Sequence, residues 1–160
     1  MNKKYAFCCL IAIVIACSVF AYNEKRWIGS YKDGETAHFK DLTRKNWDFA
    51  RYYDLPSDTT VYTFFEDNDI YSYDKDFVLY STMSVIVYYR NGKIVDYIQY
   101  PRSSEDSPLF LASDGITELR CFELTKEQAE FTVSIRDCEY INLVSGESYV
   151  GKKAYWILGT

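Results

Sequence analysis

Two apolar runs joined at Asn91-Gly92, within Met83–Tyr100 (MSVIVYYRNGKIVDYIQY), constrain this chain more than any other stretch. Asn-Gly between alternating hydrophobic residues selects a two-residue type I′ turn, because both central positions need positive φ. In a regular hairpin, that turn sets Arg90 opposite Lys93, Tyr89 opposite Ile94, Val87 opposite Asp96, Val85 opposite Ile98 and Met83 opposite Tyr100. One face then carries Met83, Val85, Val87, Tyr89, Ile94, Asp96, Ile98 and Tyr100. It is apolar except for Asp96 and is expected to be core, since strand side chains alternate with period two. Asp96 then belongs at a sheet rim or beside a basic residue of a neighbouring strand. The other face, with Ser84, Ile86, Tyr88, Arg90, Lys93, Val95, Tyr97 and Gln99, is expected to be partly solvated.

The rest of the chain repeats this pattern in shorter units. Strands are expected over residues 26–31, 35–40, 59–66, 70–73, 77–80, 109–112 and 116–124, from their β-branched and aromatic content and the Asp, Asn, Gly and Ser residues between them. Residues 131–138, 140–144 and 148–158 read the same way. Residues 41–55 read as a short helix passing into an extended segment that Pro56 ends, and Thr125-Lys126-Glu127-Gln128 matches a capping box that competes with a plain turn. Residues 101–108 (PRSSEDSP) form a polar loop. These features predict a mainly β fold: an antiparallel barrel or a sandwich-like sheet, with one or two short helical segments. Residues 22–160 make one β-rich domain, long enough to bury roughly two thirds of its unfolded surface.

Residues 1–21 are set apart from that domain. Lys3-Lys4 precede an uncharged apolar run from Tyr5 to Ala16, the pattern of an export signal. Val19-Phe20-Ala21 fits an ordinary signal-peptidase site, giving a chain that begins at Tyr22. Val14-Ile15-Ala16-Cys17 resembles the lipobox of bacterial lipoproteins, with Cys17 as the lipidated residue. The apolar continuation Ser18–Tyr22, where a lipoprotein carries a polar tether, favours soluble export. An uncleaved anchor is the third alternative, Tyr5–Tyr22 being just long enough to span a bilayer as a helix. The expected location is therefore periplasmic or secreted, with any membrane contact made through a lipid anchor or the uncleaved leader.

Charge and cysteine usage narrow the function. Removal of residues 1–21 takes away Lys3 and Lys4 and no acid, moving the net charge from −5 to −7. That balance argues against a nucleic-acid partner and against docking on anionic lipid, and leaves a basic protein partner as the alternative to mere solubility. Beyond the leader, only Cys121 and Cys138 remain, and in an oxidising compartment they are expected to form one disulfide. His38 is the single histidine, and no Gly-x-Ser-x-Gly elbow, Gly-rich phosphate loop or zinc-type spacing accompanies it. The acids Glu66, Asp67, Asp69, Asp74 and Asp76 do not keep the spacing of an EF-hand loop and read as solvated turn residues. No catalytic residue, metal site or cofactor is expected.

Fifteen of the sixteen tyrosines lie beyond the leader. Tyrosine packs well on pleated strands and is also enriched where proteins meet partners. Tyr71, Tyr73, Tyr88 and Tyr97 fall where a solvated face is expected and form the candidate partner surface. Trp27-Ile28-Gly29-Ser30-Tyr31 resembles the opening strand of lipocalins, although here the glycine follows the tryptophan. With Asp33-Gly34, the same stretch is similar to the start of bacterial surface-adhesin E-like domains. Neither likeness carries a site residue. The function expected is a non-enzymatic exported binding module for a protein partner, of inhibitor, immunity or adhesion type. The alternatives are a lipocalin-like carrier of a small apolar ligand, its cup lined by residues such as Phe64, Ile86 and Tyr97, and a cell-envelope hydrolase using unidentified carboxylates.

Overall fold

The computed structural model describes residues 26–54, 64–78, 82–101, 107–142 and 144–159. The leader, with its cleavage and lipidation motifs, lies outside them, as do most of the expected strand 59–66 and most of the polar loop 101–108. No helix among the described residues is long and apolar enough to cross a membrane.

Among the described residues, eight strands form two sheets. They are β1 (Thr36–His38), β2 (Phe49–Asp54), β3 (Met83–Arg90), β4 (Lys93–Pro101), β5 (Leu109–Leu111), β6 (Cys121–Thr125), β7 (Glu130–Ile141) and β8 (Ser148–Leu158). The first sheet runs β1-β7-β8-β5, antiparallel except for the parallel pair of β5 and β8; the second runs β4-β3-β2-β6 and is antiparallel throughout. Among the described residues neither sheet closes on itself, so of barrel and sandwich the fold is the sandwich.

Aromatic rings fill the space between the sheets. Phe110 stands 4.6 Å from Tyr52, 5.1 Å from Phe131, and 5.5 Å from both Phe122 and Trp156, ring centre to ring centre. Phe39, in a 3-10 turn over Phe39–Leu42, stacks on Phe131 at 5.0 Å. Ala50, Ile86, Tyr88, Ile98, Tyr100 and Val133 complete this core. Among the described residues the interior between the sheets is packed with side chains. Ile86 belongs to this core, while Phe64 and Tyr97 pack on the opposite face of the second sheet.

The Asn91-Gly92 hairpin forms as expected, with φ of 51° and 72° at the two turn residues. Its register holds only for the first two pairs, Arg90 with Lys93 and Tyr89 with Ile94. Val95 is then an extra residue in β4, so Tyr88 faces Asp96, Ile86 faces Ile98 and Ser84 faces Tyr100. This β-bulge turns Asp96, Ile98 and Tyr100 to the same side as Ile86 and Tyr88, correcting the regular pairing. Asp96 is half-buried and, among the described residues, meets no base: it accepts hydrogen bonds from the Thr43 hydroxyl and from the Tyr97 amide.

Both faces of β3 are covered, so the expected solvated face does not exist there. Tyr88 is fully buried, donates its hydroxyl to the Phe39 carbonyl at 3.1 Å, and is removed from the candidate partner surface. On the other side Val85, Val87 and Tyr89 pack with Tyr53 under Phe64, Ile70 and Phe77. That cover is helical where strands were expected. Residues 64–67 are helical, and Ile70–Tyr73 form a single turn, α1, whose start Asp69 caps by accepting from the Ser72 amide.

Further local differences have similar causes. Ile28–Ser30 is a 3-10 turn rather than a first strand, and β1 pairs with β7 rather than with residues 26–31. Of the expected helical and extended stretch 41–55, the described residues 41–54 hold no helix beyond the end of the Phe39–Leu42 turn, and become β2 at Phe49. At Thr125–Gln128, the chain makes a turn in which the Thr125 amide donates to the Gln128 side chain, half of the capping box without a helix behind it. Cys121 opens β6 in one sheet, and Cys138 lies in the outer half of β7 in the other. Both are free thiols that do not lie at disulfide distance, so the expected disulfide is not formed.

Candidate functional site

The segment 64–78 lies across the outer face of the second sheet and carries the surface of most functional interest. Its inner side chains fix it. Phe64 meets Tyr53 edge-on at 5.2 Å and Phe77 at 5.8 Å, and all three are buried. Asn68, also buried, donates one amide hydrogen to the Tyr53 hydroxyl at 3.0 Å and another to the Phe64 carbonyl at 2.9 Å. The first bond joins the segment to β2, and the second closes its own turn.

A cation holds the same region from below. Arg51 on β2 donates to Glu123 of β6 at 2.6 Å and lies 3.7 Å from Asp67. Its guanidinium is 5.6 Å from the ring centres of both Phe49 and Tyr89, which stack on each other at 4.7 Å. The hydrogen bond to Glu123 holds Arg51 above its ordinary pKa, and burial pushes the Tyr53 and Tyr89 phenols up.

With its inner face committed, the segment turns its remaining rings outward. Phe65, Tyr71 and Tyr73 are 44, 44 and 43% exposed. Phe65 and Tyr71 stack nearly parallel at 6.1 Å, and Tyr71 stands edge-on to Phe77 at 5.6 Å. Tyr73 donates its hydroxyl to the Val95 carbonyl, the extra residue of the bulge, at 2.7 Å. Tyr97 is half-buried beside Phe77 and Tyr73 and donates to Asp74 at 2.6 Å. Desolvation first, and that hydrogen bond second, push Tyr97 up to about 12, while the same bond leads the causes that lower Asp74. Tyr71, Tyr73 and Tyr97 thus lie together around Phe77, and Phe65 joins them through Tyr71.

The same segment carries the exposed acids Glu66, Asp67, Asp69 and Asp76, with one exposed base, Lys75, among them. Asp67 and Asp69 also line a cleft of about 500 Å³ with Ser72, Tyr73, Tyr89, Lys93 and Ile94. Each already has an internal partner, Arg51 for Asp67 and the Ser72 hydroxyl for Asp69. A second cleft of about 420 Å³ is lined by Leu124, Glu127, Gln128, Glu130 and Leu158. Glu130 there lies 3.7 Å from half-exposed His38. Among the described residues no three of His, Cys, Asp and Glu gather where they could hold a metal ion.

The chain was compared with protein-family models, curated proteins and solved structures, and it matches none of them.

Proposed function

We propose that this protein is a non-enzymatic binding module, exported to a periplasmic or extracellular location, whose ligand is a protein partner presenting a basic surface. The observation that carries the reading is the exposed cluster Phe65, Tyr71 and Tyr73 on a segment that is pinned from beneath and carries four exposed acids against one exposed base. Tyrosine and phenylalanine held rigid at a surface bury large area on binding at low entropic cost, which is why aromatic anchors dominate interface energetics. Acids around such a cluster steer a basic partner into place and weaken with salt. Internal pairing of Asp67 with Arg51, and of Asp69 with Ser72, supports recognition over hydrolysis as the use of these carboxylates.

The test is affinity capture from an extract of the cell envelope and secreted fraction, run side by side with a Phe65→Ala/Tyr71→Ala variant. A basic protein retained by the native chain, released by raised salt and lost from the variant is the expected result. Capture that is identical for both chains, or insensitive to salt, overturns the assignment. The mass of the purified exported protein checks the accompanying reading of the leader, since a chain beginning at Tyr22 and one lipidated on Cys17 differ in mass.

A further inference from the structure

The hairpin of β7 and β8 carries a second recognition surface, independent of the aromatic segment and on the other sheet. Over Phe131–Ile135 the ribbon is part of the sandwich, with Phe131 and Val133 in the core and Thr36–His38 paired against its edge. Beyond Ile135 no described residue pairs with the outer edge of β7. Val133 exchanges backbone hydrogen bonds with Gly34 and Glu35, and the Ile135 amide donates to the Asp33 side chain. By the alternation of an antiparallel ladder, the amides and carbonyls of Asp137, Glu139 and Ile141 point the same way. No described residue pairs with that stretch of edge. On the opposite edge of the ribbon, the Tyr140 hydroxyl occupies the Lys152 carbonyl, and β5 covers from Tyr155 onward.

The side chains along the open edge define what fits it. On the core-facing side of the ribbon, past the end of the core, stand Asp137, Glu139 and Ile141, with Lys152, Val150 and Ser148 across from them on β8. Asp137 is paired with Lys152, while Glu139 faces Val150, which is 73% exposed. Tyr140 and Tyr149 stack at 5.5 Å on the other side. A second copy of the chain is a poor occupant. If β7 met its own copy antiparallel about Cys138, Asp137 would lie opposite Glu139. One register further, the two Glu139 side chains would oppose each other, and like charges directly across a ladder are destabilising.

We infer that the open edge of β7 accepts an extended segment of a partner by strand addition. The segment places basic residues opposite Glu139 and Asp137, and an apolar residue opposite Ile141. The main-chain hydrogen bonds supply attachment, and the acidic side chains of the edge, Glu139 foremost because Asp137 already holds Lys152, supply selection.

The probe is a short synthetic peptide alternating lysine and threonine and ending in valine, added to the isotopically labelled full chain. Slowed amide exchange at Asp137, Glu139 and Ile141 on peptide addition is expected. The neighbouring amides of Cys138 and Tyr140, which already serve the β7–β8 ladder, should change little. The same peptide N-methylated on its bonding edge keeps its charge but cannot pair, and should lose the effect. A Glu139→Lys variant, altered only at an exposed side chain, should bind the lysine peptide about tenfold more weakly and its glutamate counterpart more tightly. The inference is overturned if the N-methylated peptide binds as well as the parent, if protection appears elsewhere and not on this edge, or if millimolar peptide leaves all three amides unchanged.

Discussion

At the scale of single residues, the bond between Tyr97 and Asp74 ties the hairpin to the aromatic segment, and it can be read from both ends of the pH scale. Asp74 has a folded pKa below its ordinary 3.8, chiefly because Tyr97 donates to it. Its contribution to stability is therefore fully present above 3.8 and is lost as pH falls through the lower folded value. Tyr97 is raised from 10.0 to about 12, so its contribution is complete below 10 and disappears as pH climbs toward 12. A Tyr97→Phe variant should flatten both ends. Denaturation midpoints measured across the acid range, with phenolate absorbance followed across the alkaline range, check this; equal acid profiles for the two proteins would dissociate the pair. Tyr88 teaches a related lesson. Its place in a half-polar strand face suggested solvent, but the identity of a tyrosine says only that it tolerates a hydroxyl partner, and here that partner is the buried Phe39 carbonyl.

At the scale of elements, the hairpin shows how far local chemistry reaches. Asn91-Gly92 determined the turn because positive φ at two consecutive positions excludes nearly every other pair of residues. An Asn91→Pro change forces φ near −65° and removes the amide that donates to Asp48 at 2.8 Å. It should cost about 3 kcal/mol in a denaturant titration. Beyond the turn, register was not legible. Apolar residues occupy both faces of β4, so alternation alone could not reveal that Val95 is supernumerary. Its bulge is what aims Ile98 and Tyr100 at the core. Deletion of Val95 should close the ladder with Asp96 still opposite Tyr88 and Ile98 still opposite Ile86, so both residues stay inward and the change is confined to the bulge and its hydrogen bond from Tyr73. A loss of about 1 kcal/mol in a denaturant titration, with no gain in binding of an apolar dye, is the expected outcome; strong dye binding would mean that the register beyond the deletion had slipped. The turn α1 was invisible for a different reason. Four residues have no periodicity to detect, and this turn exists because Asp69 caps it and Ile70 finds a buried seat under the segment.

At the scale of the whole molecule, the fold class was legible and the means of holding it together was not. Short aromatic strands punctuated by turn residues specify packed sheets, but they do not say whether the interior is a cup or a solid, nor whether two cysteines meet. Both answers turn on the same rings. Phe39, Phe110, Phe122, Phe131 and Trp156 occupy the space between the sheets, so the sandwich is stabilised by apolar burial rather than by a covalent staple. Two consequences can be measured on one protein. Reducing agent should leave the melting temperature unchanged, because Cys121 and Cys138 are already free. Truncating Phe110 to alanine removes the ring at the middle of the cluster and opens a cavity between Tyr52 and Phe122 of one sheet and Phe131 and Trp156 of the other. Burial and cavity terms together put the loss at about 3–5 kcal/mol. A domain of this kind has on the order of 5–15 kcal/mol in total, so the variant should unfold at markedly lower denaturant or fail to accumulate. A conservative Phe110→Leu change, retaining most of the volume, should recover much of that loss. If alanine were tolerated within about 1 kcal/mol, the rings would be able to close over the gap and the interior would be softer than its packing indicates. A large loss for alanine, partial rescue by leucine and indifference to reductant together would establish the aromatic interior as the element that joins the two sheets.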